Sequence, residues 1–146
     1  DSINAPRTVS GATWSPNSVT YAGDNRTHMI RVPGKGRFEM RLPDGAANPY
    51  LLQAALLAAG LDGLERKLDP GKPLDINMYT EGHKVPDAKK LPLNLLDAVR
   101  ALDASVTMRR LLGDGLVTPY ITLKMEEWNA HCGHLSAWER QVTLDC

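Results

Sequence analysis

Aromatic residues are scarce in this chain of 146 residues: 5% in all, with a single phenylalanine, Phe38. Cysteine is rarer still, at two, and the formal net charge is zero. Each scarcity excludes something. Two cysteines, Cys132 and Cys146, make no disulfide framework, so a reducing, cytoplasmic setting is expected. Zero net charge gives no whole-molecule field that would gather nucleic acid or an acidic membrane surface. Binding of single strands by stacking needs aromatics interleaved with basic residues, and Phe38 stands alone in the basic stretch. No apolar run is long enough to cross a bilayer. The chain opens at Asp1 with no methionine and no signal-peptide pattern, as expected of a piece of a longer protein.

What is present is one domain's length of chain and an uneven placement of charge. Between Asn25 and Asp44 there are five basic residues (Arg26, Arg31, Lys35, Arg37, Arg41) and two acids (Glu39, Asp44), an excess of three positive charges. Four of the five are arginines, whose forked guanidinium suits phosphate and carboxylate. Within "RVPGKGRFEMRLPDG", Arg37, Glu39 and Arg41 alternate with Phe38, Met40 and Leu42. Strand side chains alternate with a period of two, so an extended segment carries a charged face and an apolar face. The apolar row is expected to face a core, and the charged row to face water or a ligand.

"RTHMIRV" and "RFEMRLP" therefore read as two strands of a β-hairpin turned at "PGKG", with a further strand near Ser18–Ala22. Register stays open. If Val32 faces Arg37, Arg26 joins the charged trio; if Arg31 faces Arg37, Arg31 does. Only a bulge or a strand end brings both to one site. "NPYLLQAALLAAGLDGLERKL" follows as a helix with Asn48 as N-cap and Pro49 as its first residue. It is apolar nearly all round from Tyr50 to Ala59, so burial on most sides is expected. Pro70, Gly71, Pro73, Gly82, Pro86 and Pro92 then punctuate an excursion with little regular structure. Helices are expected over Leu93–Leu102 and Ser105–Leu112, and from about Val117 onward, with "GDG" at 113–115 as a break. A two-stranded hairpin is marginal unless more strands or a helix cover it, so part of the sheet is expected elsewhere in a longer chain.

The run "NRTHMIRVPGKGRFEMRLPDGAANPYLLQAALLAAGLDGL" resembles the C-terminal part of the glutamine synthetase catalytic domain. The matching features are N-R-T-x-x-I-R-V-P, then R-F-E-x-R-x-P-D, then A-N-P-Y-L and A-G-L-D-G. "LDPGKPLDINMY" and the helical tail match more loosely. The resemblance implies an α+β fold, a hairpin of the family's catalytic sheet followed by a mainly helical region. Residues 1–146 would form one segment of that domain, with loop and active-site hairpin in 1–45 and helices in 46–146. It also implies a chemistry. The family makes γ-glutamyl phosphate from ATP and glutamate, and an amine then displaces the phosphate. On that basis Arg26 acts on the transferring phosphoryl group, Arg31 and Arg37 hold the nucleotide, and Glu39 is a Mg²⁺ or Mn²⁺ ligand. Arg41 grips the γ-carboxyl or phosphate end of the substrate, and Arg7 in "NAPRT" the glutamate carboxylate. The family works as a homo-oligomeric ring with active sites between subunits, so this segment alone is expected to be inactive.

One position departs from the family. Aligning "ATWSPNSV" on its proline puts Trp14 where glutamine synthetases usually carry a glutamate that helps deprotonate ammonium. An indole takes no proton from an amine, although its face contacts cations and alkyl groups. The local sequence "SINAPRTVSGATW" and the ending "WERQVTLDC" look closest to a branch that includes γ-glutamylmethylamide synthetases. The acceptor implied is thus ammonium or a small alkylamine. Tyr79 aligns with a tyrosine that some bacterial members adenylylate, but the residues after it differ, and that regulation is not carried over.

Blander readings stand beside these. An Arg/Glu/Arg row is commonly a solvated, mutually paired face, and a family member recruited as an assembly protein would need no more. Trp128 and Trp138 read as core or interface anchors. "HCGH" at 131–134 lacks the second ligand pair of a zinc site.

Overall fold

The chain reverses at Lys35–Gly36 at the end of "PGKG", where Gly36 takes φ 82°, a conformation glycine adopts without steric cost. In the computed structural model, which describes residues 15–143, β2 (Ile30–Gly34) and β3 (Arg37–Met40) form the hairpin. β1 (Tyr21–Ala22) pairs parallel to β2 on its other side, giving the order β1-β2-β3. Ile30 stands opposite Met40 and Arg31 opposite Glu39, but Gly34 is opposite Arg37, so a bulge lies between Arg31 and Gly34. Neither pairing weighed from the sequence occurs. The observed one puts Arg31 on the charged face and leaves Arg26 before the strand, where alternation no longer binds it.

The proline-rich excursion is fastened to the sheet. Leu74 N donates to Tyr21 O (3.0 Å), and the Tyr21 hydroxyl donates to Gly71 O (2.5 Å). Farther on, Val19 N donates to Lys89 O and Leu91 N to Asn17 O around an antiparallel bridge at Ser18 and Lys90. Its regular structure is short: α2 (Met78–Glu81) and a 3₁₀ turn at Gly82–Lys84.

α1 (Pro49–Glu65) starts where expected, with the Asn48 side chain accepting from Tyr50 N and Leu51 N. Asn94 caps α3 (Leu95–Asp103) and Ser105 caps α4 (Val106–Leu112). Gly113 at φ 81°, ψ 143° separates α4 from α5 (Asp114–Cys132), which begins three residues before the expected Val117; α6 (Ala137–Thr143) follows. α3 packs on α5, α4 on α5, and α1 on α4. Ala58, Val99 and Val117 are buried in this helical part, and Ala22, Met78 and Leu91 around the sheet. The architecture is α+β, with strands and helices segregated: no strand of the described residues packs on a helix.

Two expectations of burial fail for one reason. α4 is the one described element packed on α1, so Tyr50 is 81% and Leu64 76% exposed on a helix that was expected to be enclosed. Phe38 is 60% exposed, because the apolar face of the hairpin lines an open cavity of about 760 Å³ with Val19, Ile30, Val32 and Leu74. The described residues do not supply a second layer for either surface.

Candidate arginine–carboxylate site

The charged face is built around Glu39. Directly across the strand pair, Arg31 Nη1 donates to both Glu39 oxygens, at 2.6 and 2.7 Å. Arg31 Nε also donates to Asp24 Oδ1 (2.7 Å), and Nη2 reaches the same oxygen. One guanidinium thus joins two carboxylates, and its side chain is only 11% exposed. The hydrogen bond from Arg31 holds the Glu39 carboxyl below the usual carboxylate range, and the positive charges of Arg37 and Arg26 add to that. Glu39 is therefore a carboxylate ringed by cations.

Arg26 and Arg37 are exposed, and neither has an ion-pair partner among the described residues. Arg41 Nη1 donates to the backbone oxygen of Arg26. The Arg41 charge also acts on Tyr79, whose phenol is pushed up by burial and donates its hydrogen to Ser15 O at 3.0 Å. Arg26, Arg31, Arg37, Glu39 and Arg41 are therefore gathered on one side of the hairpin. Two of the four cations stay unneutralised, which suits a multiply charged anion. Arg7 and Trp14 lie outside the described residues.

A divalent cation of the Mg²⁺ kind takes about six oxygen donors. Among the described residues no group of three His, Cys, Asp or Glu side chains converges, and Arg31 already covers both Glu39 oxygens. Glu39 fits such a cation as one hard donor of a larger set, not as a site by itself. His131, Cys132 and His134 are exposed at the end of α5, where Trp128 is half-buried and tilted against His131 at 6.0 Å; Trp138 is exposed.

The support beneath the site went unread in the sequence. Asp24 is recruited to Arg31 by the turn at 23–25, which no strand pattern signals. Asn25, Thr27 and His28 form a polar patch under Arg26: Thr27 and His28 are buried, and Asn25 takes the Thr27 N–H (2.9 Å) and hydroxyl (2.8 Å). Thr27 Oγ1 then accepts from Met78 N at 3.0 Å. Their partners are some fifty residues away, so spacing within "DNRTHM" gives no hint of them.

With this geometry in place, similarity to known proteins is informative. A family model described as "Glutamine synthetase, catalytic domain" matches residues 3–143. The chain is 62% identical over 143 residues to a glutamine synthetase of Rhizobium leguminosarum bv. phaseoli, covering 98% of this chain and 33% of that one. It is 45% identical over 142 residues to a glutamate–methylamine ligase of Methyloversatilis universalis, covering 95% and 32%. A solved structure described as a GmaS/ADP complex superposes with a TM-score of 0.87 and 59% identity, over 100% of this chain and 34% of its own. Glutamine synthetase of Plasmodium falciparum, 21% identical, shares the fold at a TM-score of 0.69 over 90% and 35%. The chain spans about a third of the length of these relatives.

Proposed function

The chain belongs to the glutamine synthetase catalytic-domain family, and from that premise we propose that it is part of an ATP-dependent glutamate–ammonia ligase. The observation that carries the reading is the charged hairpin face, where Arg26 and Arg37 have no ion-pair partner among the described residues beside the Arg31–Glu39–Asp24 cluster. The γ-carboxylate of glutamate attacks the terminal phosphorus of ATP, ADP departs, and the amine displaces phosphate from the acyl phosphate. Negative charge moves between oxygens throughout, so prearranged cations lower the barrier more than an acid or base would. Arg26 faces the transferring phosphoryl group, Arg31 and Arg37 the nucleotide phosphates, and Arg41 the γ-carboxylate. Arg7 takes the glutamate carboxylate. Glu39 supplies one oxygen to Mg²⁺ or Mn²⁺, which when bound neutralises phosphate charge. The whole protein is read as a cytoplasmic homo-oligomeric ring that acts on neither nucleic acid nor membrane.

A second reading concerns the acceptor. A relative named glutamate–methylamine ligase matches 95% of the chain, and Trp14 stands where a proton-accepting glutamate is usual. Both favour methylamine. The exposed guanidiniums of Arg26 and Arg37, without ion pairs among the described residues, argue against a purely structural family member. Initial-rate ADP release by the full-length protein, with ATP, Mg²⁺ and glutamate, tests these readings by comparing kcat/KM for ammonium and methylamine. Preference for ammonium supports the glutamine-forming ligase, and preference for methylamine supports γ-glutamylmethylamide synthesis. No amine-dependent ADP release overturns both.

A further inference from the structure

Among the described residues the Arg26 side chain has no hydrogen-bond or ion-pair partner, yet the residues on either side of it are fastened to one distant carbonyl. Ile76 O accepts from Asn25 Nδ2 at 2.9 Å and from His28 Nε2 at 3.0 Å. Because a carbonyl only accepts, Nε2 must carry the imidazole hydrogen. In the neutral ring Nδ1 is then a lone-pair nitrogen and accepts the Thr20 hydroxyl at 3.0 Å. His28 is fully buried, and no buried polar side-chain atom of the described residues lacks a partner. Burial disfavours the charged imidazole and holds His28 neutral, although the Ile76 hydrogen bond and the charge of Asp75 pull the other way.

An apolar side chain of similar volume would fill this space without the cost of burying an imidazole. What it would lack is a donor at one end and an acceptor at the other. These link the approach to β1, through Thr20, to the 70–77 segment, through Ile76. The 25–28 turn is thereby held at Asn25 and at His28, and Arg26 stands between the two fastenings. Arg41 also donates to the Arg26 backbone, so displacement of the turn would shift both cations.

We infer that His28 is a positioning residue: clamped between Thr20 and Ile76, it holds the turn that presents Arg26 to the anionic substrate. The inference rests on the role proposed above for Arg26. A group held in place before substrate arrives needs no ordering during the reaction, and misplacement by about 1 Å costs up to about 100-fold in rate. Nothing in the sequence motif requires histidine here. The requirement comes from the two partners.

The test is a double-mutant cycle in the full-length protein, read by amine-dependent ADP release. His28→Leu is expected to lower kcat/KM about 10- to 100-fold, while His28→Gln, which restores an N–H donor, recovers most of it. In an Arg26→Ala background, His28→Leu should change the rate less than about twofold, because no guanidinium is left to position. Thr20→Val, which removes the hydroxyl donor at constant shape, should give a smaller loss that also vanishes with Arg26→Ala, and it serves if His28→Leu does not fold. Equal losses in both backgrounds would overturn the inference while leaving the proposed activity intact. An Arg26→Ala enzyme of undiminished rate would overturn it together with the role given to Arg26.

Discussion

Arg31 and Arg26 sit in one motif, but the fold uses them differently. Arg31 is neutralised within the chain by Glu39 and Asp24, whereas Arg26 faces outward above a buried polar clamp. Alternation along β3 made Arg37, Glu39 and Arg41 legible as one face, because a period of two is local. Asp24 and His28 were not legible, because their roles depend on a turn and on Ile76, distant in sequence. His28 also gives stability a pH signature. Its folded-state pKa lies below the ordinary imidazole value of 6.5, so below that value the unfolded chain binds the extra proton. Stability contributed by the neutral clamp is therefore complete above about pH 6.5 and declines as pH falls toward the folded-state value. Glu39, Glu81 and Glu139 are also depressed, but from an ordinary carboxylate value of 4.5, so their losses begin at lower pH. The thermal midpoint of the full-length protein is expected to fall between about pH 7 and about pH 5, and His28→Gln should flatten that decline. Parallel curves for the two proteins would remove His28 as its source.

The start of α1 was legible, since a cap is a contact between near neighbours and Asn48 followed by Pro49 marks it. Asn94 and Ser105, by contrast, fell inside the expected helices and were not read as caps. Asn48, Asn94 and Ser105 each accept a backbone N–H from the turn they open. The α4–α5 junction shows the same locality. Gly113 adopts φ 81°, ψ 143°, a combination nearly confined to glycine, and a Cβ built there would meet nothing within 4 Å. A cost at this position is therefore backbone strain alone. Gly113→Ala is expected to lower stability by about 1–3 kcal/mol, read from denaturant midpoints. Long-range pairing was not legible. The buried carboxylate of Asp62 on α1 accepts from Arg66 at 3.2 Å and, across the helix interface, from Arg110 on α4 at 2.8 Å. Asp62→Ala should cost about 1–3 kcal/mol by removing hydrogen bonds to charged groups. Arg110→Ala should cost less, because that guanidinium is half-exposed and Arg66 still serves Asp62. An Arg110→Ala loss as large as that of Asp62→Ala would contradict this ranking.

At the scale of the whole molecule, the chain spans about a third of its relatives' length, and α1 and the Phe38 face lie open among the described residues. The apolar residues of α1 and of the Phe38 face were read as interior, yet they are exposed, and no covering layer for them lies among the described residues. Sequence reports what a surface wants to touch, and not where its partner lies. The charged face has the same incompleteness in another form. Among the described residues Glu39 is a single hard donor where a divalent cation needs several, and Arg26 and Arg37 form no ion pair, although both act on Glu39 through their charge. In the longer protein proposed above, activity and burial should therefore be restored together. Expressed alone, these 146 residues are expected to show no amine-dependent ADP release and to bind a hydrophobic dye such as ANS. The full-length protein should release ADP and bind far less dye per mole. Dye binding by the isolated chain with full activity would mean that the hairpin completes its own site. Absence of dye binding would mean that the chain covers α1 and Phe38 by self-association, which sedimentation would register as a larger species.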